Sequence, residues 1–240
     1  MFCCVSLSYC YPAQAQLYAV SARAEIKRKT DTKQAKGVRL QADLSEVVLW
    51  LKHLDRIPAE SQFDKQPPKR LQLIQKNKSF RPHVLVVPIG TVVDFPNRDP
   101  FFHNVFSLFD GKRFDLGLYE AGATNSVRFD RFGVSFLFCN IHPEMSAIVI
   151  AVDTPYYGVS DRAGNISIPN LTDGKYELHV WYERSLAEDL KTLTRTVTVS
   201  SATKDLGTIS VPENPSFSPA HKNKYGEDYA SPPPQPYSNP

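Results

Sequence analysis

Short hydrophobic runs separated by turn-forming residues extend along most of the chain, and they lie closest together between residues 71 and 152. Each run is rich in Val, Ile, Leu or Phe and is bounded by Gly, Pro, Asn or Asp, which is the pattern of β-strands. About seven such strands in close succession are typical of a β-sandwich. The predicted strands are Leu71–Gln75, Val84–Val87, Val92–Phe95, Asn104–Leu108, Ser126–Phe129, Gly133–Cys139 and Ala147–Val152.

The segments on either side of this region carry strand patterns at wider spacing. Residues 16–57 contain two runs separated by a polar, basic stretch, and residues 58–70, rich in Pro, Gln and Lys, predict a linker. Residues 153–211 contain alternating runs with turns between them and one short stretch, 184–192, that favours a helix. The strands predicted in the flanks are Leu17–Ile26, Glu46–Lys52, Asn165–Ile168, Tyr176–Trp181, Arg195–Val199 and Gly207–Val211. The chain as a whole is predicted to be all-β.

Composition limits the classes of partner. The net charge of +3 gives no reason to expect nucleic acid or an anionic membrane surface. No apolar stretch is long enough to cross a bilayer. Residues 212–240 contain eight prolines and few aliphatic residues, so this tail is predicted to be disordered.

The first fifteen residues predict an exported protein. They carry no charge, they are mostly apolar or small, and they end in Ala13-Gln14-Ala15, the small-x-small pattern of a signal peptide cleaved before Gln16. Three of the four cysteines and one of the two methionines lie in this segment, so cleavage would leave Cys139 and Met145 as the remaining sulfur-containing residues. A lone cysteine in an exported protein is not half of an internal disulfide. Cys139 therefore needs another explanation, and a periplasmic or otherwise exported location is expected.

A metal site is the explanation that the neighbouring residues favour. Cys139, His142 and Met145 lie within one short loop between two predicted strands, and His103 comes from an upstream strand. Two imidazoles and one thiolate in a near-trigonal plane, with a weak axial thioether, are the ligands of a type 1 copper centre. The predicted ligands of a single copper ion are therefore His103, Cys139, His142 and Met145.

Each of these residues also has an ordinary structural interpretation. A single cysteine at the end of a strand is commonly a small buried hydrophobe, and a methionine commonly fills a core. Zinc also binds thiolate and imidazole, but structural zinc sites use a closed tetrahedral set without a thioether. The ordered combination of all four residues favours copper. The remaining histidines, His53, His83, His179 and His221, are predicted to be structural.

The loop resembles that of a known family. The order Cys139, two residues, His142, two residues, Met145, with Pro143 after the histidine, is similar to the amicyanin-like ligand loop of the cupredoxins. The segment 93–105 around His103 and the run 133–139 are similar to the cupredoxin segments that carry the first histidine and the cysteine. The resemblance covers residues 71–152 and implies a Greek-key cupredoxin sandwich with a blue copper ion that cycles between Cu(II) and Cu(I).

The resemblance also implies roles for residues around the ligands. Asn104 would donate its backbone N–H to the Cys139 sulfur, and its side chain would bridge to the loop near Asn140. His142 would be the electron port, and a redox protein partner would dock near it. Apolar neighbours of that port would be Pro143, Phe101 and Phe102. Glu144 departs from the family pattern and adds a charge there.

The two flanks resemble the halves of a carboxypeptidase regulatory-like (transthyretin-like) sandwich. The motif Asp161-Arg-Ala-Gly164-Asn-Ile166 and the turn Leu171-Thr-Asp-Gly174-Lys-Tyr176 carry this resemblance. It implies that the cupredoxin region (71–152) is inserted between residues 16–57 and 153–211 of a host sandwich. Insertion predicts that Val47–Leu51 pairs with Tyr176–Trp181 or its neighbours. Alternatively, residues 44–54 add a strand to the cupredoxin and the C-terminal piece stands alone.

These features lead to two functional hypotheses of different class. The first is an exported blue copper protein that carries single electrons and is not an enzyme. The second is a copper-binding or copper-sensing interaction protein that does not turn over as a carrier. A copper oxidase or nitrite reductase needs further copper ions held by additional histidine clusters, and the sequence has no second His–Cys–His constellation.

Overall fold

The computed structural model describes residues 16–28, 43–55, 70–108 and 111–229, and this part of the chain is almost entirely β-structure. The predicted all-β fold is confirmed. The strands are β1 Tyr18–Lys27, β2 Val48–His53, β3 Arg70–Gln72, β4 Ile74–Gln75, β5 Phe80–Arg81, β6 Val84–Pro88, β7 Thr91–Pro96, β8 His103–Ser107, β9 Phe114–Tyr119, β10 Thr124–Phe129, β11 Gly133–Phe138, β12 Ser146–Val152, β13 Tyr157–Val159, β14 Asn165–Leu171, β15 Gly174–Trp181, β16 Arg195–Val199 and β17 Asp205–Pro212, and α1 spans Ala187–Thr192.

Residues 70–152 form one two-sheet sandwich. One sheet has the order β6-β12-β11-β8-β9 and the other the order β10-β7-β3. Alternation along the strands sends one set of side chains into the core between the sheets, as a period of two requires. That core contains Phe95, Phe129 and Leu137 together with Cys139 and Met145.

The flanking segments form a second two-sheet sandwich. Its sheets have the orders β14-β1-β17 and β13-β2-β15-β16, so strands from before residue 70 pair with strands from after residue 152. In particular, β2 pairs with β15 from His53 opposite Tyr176 to Val48 opposite Trp181. This is the strand pairing that an inserted sandwich predicts. Assignment of the flanks to the transthyretin-like family stays a prediction.

The two sandwiches share a hydrophobic interface. Strands β2 and β12 are buried on both faces, because one face of each belongs to its own core and the other faces the neighbouring sandwich. Val48 and Trp50 of β2 meet Ile148 and Ile150 of β12, with residues of β6 beside them. At the edge of this interface the His83 Nε2 and a Glu183 carboxylate oxygen lie 2.9 Å apart. The interface therefore combines apolar burial with one cross-sandwich ion pair.

Several parts of the fold differ from the expectations, among them the short strands β5 and β13, which have no predicted counterpart. Strand β9 (Phe114–Tyr119) was not predicted, since it is partly exposed and carries Asp115 and a Gly117 with a positive φ of 66°. The tail was predicted to be disordered from residue 212, whereas residues 213–229 form turns and contact both sandwiches. Residues 213–229 lack a core of their own, but they are held by contacts with surfaces that are already folded. Residues 230–240, the predicted signal peptide (1–15) and residues 58–69 of the predicted linker lie outside the described residues.

Within the described ranges, the structure contains no helix whose length and apolar character would suit a bilayer crossing.

Candidate metal centre

Two antiparallel strands hold the loop that carries three of the predicted ligands. Strand β11 ends at Phe138, opposite Ser146 at the start of β12, so residues 139–145 form the connection. Two backbone hydrogen bonds tighten it: the Cys139 N–H donates to the Met145 carbonyl at 3.3 Å, and the Met145 N–H donates to the His142 carbonyl at 3.0 Å. The spacing in the sequence thus becomes a compact turn between the two strands.

The fourth predicted ligand comes from β8, which neighbours β11 in the same sheet. Phe106 pairs with Phe138, and because the two strands run antiparallel the start of β8 lies beside the loop that follows β11. His103 is the first residue of β8. Sheet order therefore brings together a histidine and a cysteine that are 36 residues apart in the chain.

The donor atoms of His103, Cys139 and His142 converge on one point. The two Nδ1 atoms are 3.1 Å apart, and the Cys139 Sγ lies 4.0 Å from the His103 Nδ1 and 3.6 Å from the His142 Nδ1. A circle through three points with these separations has a radius of about 2.1 Å, which is close to metal–imidazole and metal–thiolate bond lengths of roughly 2.0 to 2.3 Å. These three residues form a possible metal-binding group in the described part of the chain. Their geometry fits a trigonal metal site without rearrangement.

Burial distinguishes the ligands from one another. His103, Cys139 and Met145 are fully buried, whereas His142 is partly exposed and lies at the rim. Met145 and Cys139 lie at the two ends of the loop and belong to the same core cluster. This is where a thioether ligand on the core side of the site would lie. The site is therefore enclosed on three sides and open to solvent at one imidazole.

The environment of Cys139 makes the free thiol a poor acid. Burial raises the pKa of the Cys139 thiol, and the backbone N–H groups of Asn104, Ile141 and His142 act in the opposite direction by hydrogen bonding to the sulfur. Such N–H donors stabilise a thiolate once a cation compensates for the lost solvation. The predicted contact from the Asn104 N–H to the sulfur is present, and two further donors accompany it.

A carboxylate that the sequence analysis did not single out orients His103. The His103 Nε2 donates to an Asp99 carboxylate oxygen at 2.8 Å, and this leaves the Nδ1 free to bind a metal. Asp99 also accepts the backbone N–H groups of Asn77, at 2.6 Å, and Lys78, at 2.9 Å. Burial alone would raise the pKa of Asp99, but the N–H of Lys78, then His103 and the N–H of Asn77, outweigh it and hold the pKa below its usual value. In the sequence, the feature that could have indicated this partner of His103 is the acidic residue four positions before it.

The predicted bridge from the Asn104 side chain to the loop is wrong. The Asn104 Nδ2 donates instead to Asp115, at 2.7 Å, and to the Gly117 carbonyl, at 2.9 Å, both on β9. Antiparallel pairing of β8 with β9 places Asn104 opposite Leu118 and so directs its amide towards that strand. The Asn140 side chain has a different partner, since its Oδ1 accepts the Lys224 N–H at 3.0 Å.

Apolar side chains surround the exposed ligand. The rings of Phe101 and His142 lie 5.6 Å apart, and Phe101, Phe102 and Ile141 are all exposed. Burial, and next to it the nearby His103, lower the pKa of His142 below its usual value. The exposed edge of the His142 imidazole is therefore the side from which another molecule can approach the buried donor atoms.

The other histidines lie away from the three converging donors. His53 and His179 are on strands of the flanking sandwich, His83 is at the interface between sandwiches, and His221 stacks on Phe138. None of them belongs to the metal-binding group found in the described ranges.

No protein-family model matches the sequence, and no curated protein matches it. Solved structures of copper proteins are similar to part of it. A purple cupredoxin from Nitrosopumilus maritimus is 26% identical over 34% of this chain and 99% of that chain, with a TM-score of 0.31. A copper-containing nitrite reductase from Thermus scotoductus is 23% identical over 43% of this chain and 26% of that chain, with a TM-score of 0.35. A Cu(I) form of an amicyanin variant is 20% identical over 40% of this chain and 97% of that chain, with a TM-score of 0.33.

Proposed function

We propose that this chain is a copper protein whose 70–152 sandwich is a cupredoxin and that it carries single electrons. His103, Cys139 and His142 would hold one copper ion in a type 1 site, with Met145 as the weak axial ligand. The observation that carries the proposal is the convergence of the three donor atoms on a point about 2.1 Å from each. A copper ion bound there would supply one-electron chemistry between Cu(II) and Cu(I).

The residues around the ligands suit fast electron exchange. Asp99 fixes the ring orientation of His103, and the backbone N–H groups at the Cys139 sulfur fix the thiolate, so the ligand positions need not change between oxidation states. Burial of Met145 and Cys139 excludes water from the axial and thiolate sides. A thioether supports copper over a structural zinc site, because closed zinc sites use thiolate and imidazole alone.

The partly exposed His142 is the proposed exit for the electron. Phe101, Phe102 and Ile141 give its surroundings an apolar surface that a redox protein partner can cover, and Glu144 beside it adds a charge that would select among partners. We assign an exported location to the protein on the composition of residues 1–15.

A colour assay tests this function. Addition of Cu(II) to the purified protein should produce an intense visible thiolate-to-copper absorption band, and Cys139→Ser should abolish it. His179→Gln, which changes a histidine in the flanking sandwich, should leave the band unchanged. A colourless protein, or a band that survives in Cys139→Ser, would contradict the type 1 site.

Electron exchange separates the carrier from the alternative. The coloured protein should exchange electrons rapidly with a small redox mediator, as measured by voltammetry or stopped-flow absorption. A coloured site that exchanges slowly would favour the copper-binding or copper-sensing protein instead. In that case the interface between the two sandwiches, which joins the copper region to a second domain, would be the feature to pursue.

A further inference from the structure

The segment that follows β17 lies against the ligand loop of the other sandwich. Strand β17 belongs to the flanking sandwich, yet residues 221–229, which we call the C-terminal strap, reach the end of β11 and the residue after the thiolate ligand. Two hydrogen bonds join them directly. The Tyr229 hydroxyl donates to the Cys139 carbonyl at 2.7 Å, and the Lys224 backbone N–H donates to the Asn140 Oδ1 at 3.0 Å. The strap therefore holds the backbone of the cysteine ligand and the side chain of its neighbour.

Ring packing supports the same placement. The His221 ring stacks on Phe138, the residue before Cys139, with ring centroids 4.0 Å apart and an angle of 28° between the planes. The Tyr229 ring meets His221 edge-on at 5.3 Å. The strap thus covers the last residue of β11 and contacts three consecutive positions, 138 to 140, through side chains or backbone.

A charged contact connects the strap to the other ligand-bearing strand. The Lys224 Nζ lies 2.8 Å from an Asp115 carboxylate oxygen, and the second oxygen of Asp115 accepts the Asn104 amide at 2.7 Å. Asn104 in turn follows His103 and directs its backbone N–H at the Cys139 sulfur. The strap therefore contacts the residues on both sides of Cys139 directly, and it reaches Asn104, the neighbour of His103, through Asp115.

We propose that the C-terminal strap is a working part of the metal centre, with Tyr229 as a positioning residue for the Cys139 thiolate, so that copper binding and docking of the strap stabilise each other. This inference rests on the proposed copper site. Mutation of a group that orients a metal ligand commonly weakens metal binding by about ten- to a hundredfold. The copper ion and the strap both bind the ligand loop. By thermodynamic linkage, if the docked strap raises the affinity of the loop for copper, bound copper stabilises the docked strap by the same factor.

The chemistry of Tyr229 suits this role. The hydroxyl-to-carbonyl distance of 2.7 Å is the usual length of such a hydrogen bond. The acceptor is the carbonyl of the ligand residue itself. Loss of that donor would leave the carbonyl to solvent or unpaired and would free the backbone on the cysteine side of the loop.

The first test compares a tyrosine of the strap with one outside it. Tyr229→Phe keeps the ring but removes the hydroxyl, whereas Tyr157→Phe does the same on β13 of the flanking sandwich and serves as the matched control. Tyr229→Phe should bind copper about tenfold more weakly in competition with a chelator and should shift the thiolate-to-copper band. Tyr157→Phe should match the unmodified protein in both measurements. Equal affinities and identical spectra for the two variants would overturn the inference.

The second test uses the unmodified protein, so it does not depend on how a variant folds. Trypsin cuts after Lys222 and Lys224, and mass spectrometry identifies the fragments that begin at Asn223 and Tyr225. Cleavage should be several-fold slower with copper bound than with a copper chelator present, and the difference should shrink in Tyr229→Phe. Equal rates with and without copper would overturn the coupling. An unmodified protein that stays colourless with copper would instead overturn the proposed function, and this inference with it.

Discussion

The two sandwiches are built alike but differ in what lies at the ends of their strands. Each has a central strand, β12 in one and β2 in the other, whose alternate side chains enter its own core and the shared interface. In contrast, β1 at the outer side of the flanking sandwich alternates buried and exposed residues, because one of its faces meets solvent. Burial on both faces of β2 and β12 therefore reflects their position between a core and the shared interface.

Among the described residues, the group of side chains that could hold a metal lies at the strand ends of one sandwich alone. In the 70–152 sandwich, the connection after β11 and the start of β8 place thiolate and imidazole side chains at one end of the sheet. In the flanking sandwich, the turn between β14 and β15 carries Asp173 and Gly174, and its residues join no metal-binding group among the described residues. The same kind of core thus supports a site in one case and a packing surface in the other.

The interface gives the largest expected effect. Ile150→Ala removes a buried side chain of β12 that faces the flanking sandwich and should lower the free energy of unfolding by about 3 kcal/mol. Arg23→Ala, on the exposed face of β1, should change it by less than about 0.5 kcal/mol. Urea unfolding followed by circular dichroism measures both. A small effect of Ile150→Ala would mean that the two sandwiches do not stay packed through this strand.

The same experiment shows whether the sandwiches unfold together. Both tryptophans, Trp50 and Trp181, lie on β2 and β15 of the flanking sandwich and pack at the interface, so their fluorescence reports on that sandwich and on its contact with the other one. The copper band reports on the other sandwich. Coincident transitions are expected, since the interface is extensive and apolar.

The second prediction concerns the ligand end of the 70–152 sandwich. Asp99→Asn removes the charge that holds His103 and should weaken copper binding about tenfold, or about 1.4 kcal/mol. Asp205→Asn, on β17 of the flanking sandwich, is the control and should leave the affinity unchanged. Competition with a chromophoric chelator measures both constants. Equal affinities would show that Asp99 does not orient the ligand.

What could be predicted from the sequence follows from distance along the chain. Cys139, His142 and Met145 fall within seven residues, so their order alone indicates a common site, and alternation in β1 indicates a strand with one buried face. The partners of that site are tertiary. Tyr229 meets Cys139 across 90 residues, and no local pattern records such a contact.

The ordered tail shows that composition, too, does not record tertiary contacts. A high proline content and few aliphatic residues correctly indicate that residues 213–229 cannot form a core. They do not exclude docking on a core that already exists, as His221 does on Phe138. Asn104 is similar: the family resemblance placed its backbone correctly, but the partner of its amide depends on β9, a strand whose mixed exposure hides it in the sequence.

The smallest expected effect is at the ion pair between the sandwiches. The hydrogen bond that His83 donates to Glu183, opposed by burial and assisted by the charges of Glu183 and Glu46, raises the pKa of His83 above its usual value. A raised folded-state pKa stabilises the protein fully below the unfolded value of about 6.5, and this contribution disappears as the pH rises through the folded-state pKa. The unmodified protein should therefore exceed His83→Gln in unfolding free energy by about 1 kcal/mol in mildly acidic solution, and by less at higher pH. Urea unfolding at a series of pH values measures the difference.

The Glu183→Gln variant is the control. It should remove the same pH dependence, and the double variant should remove no more. A difference that grows with pH would contradict a protonated His83 in this contact.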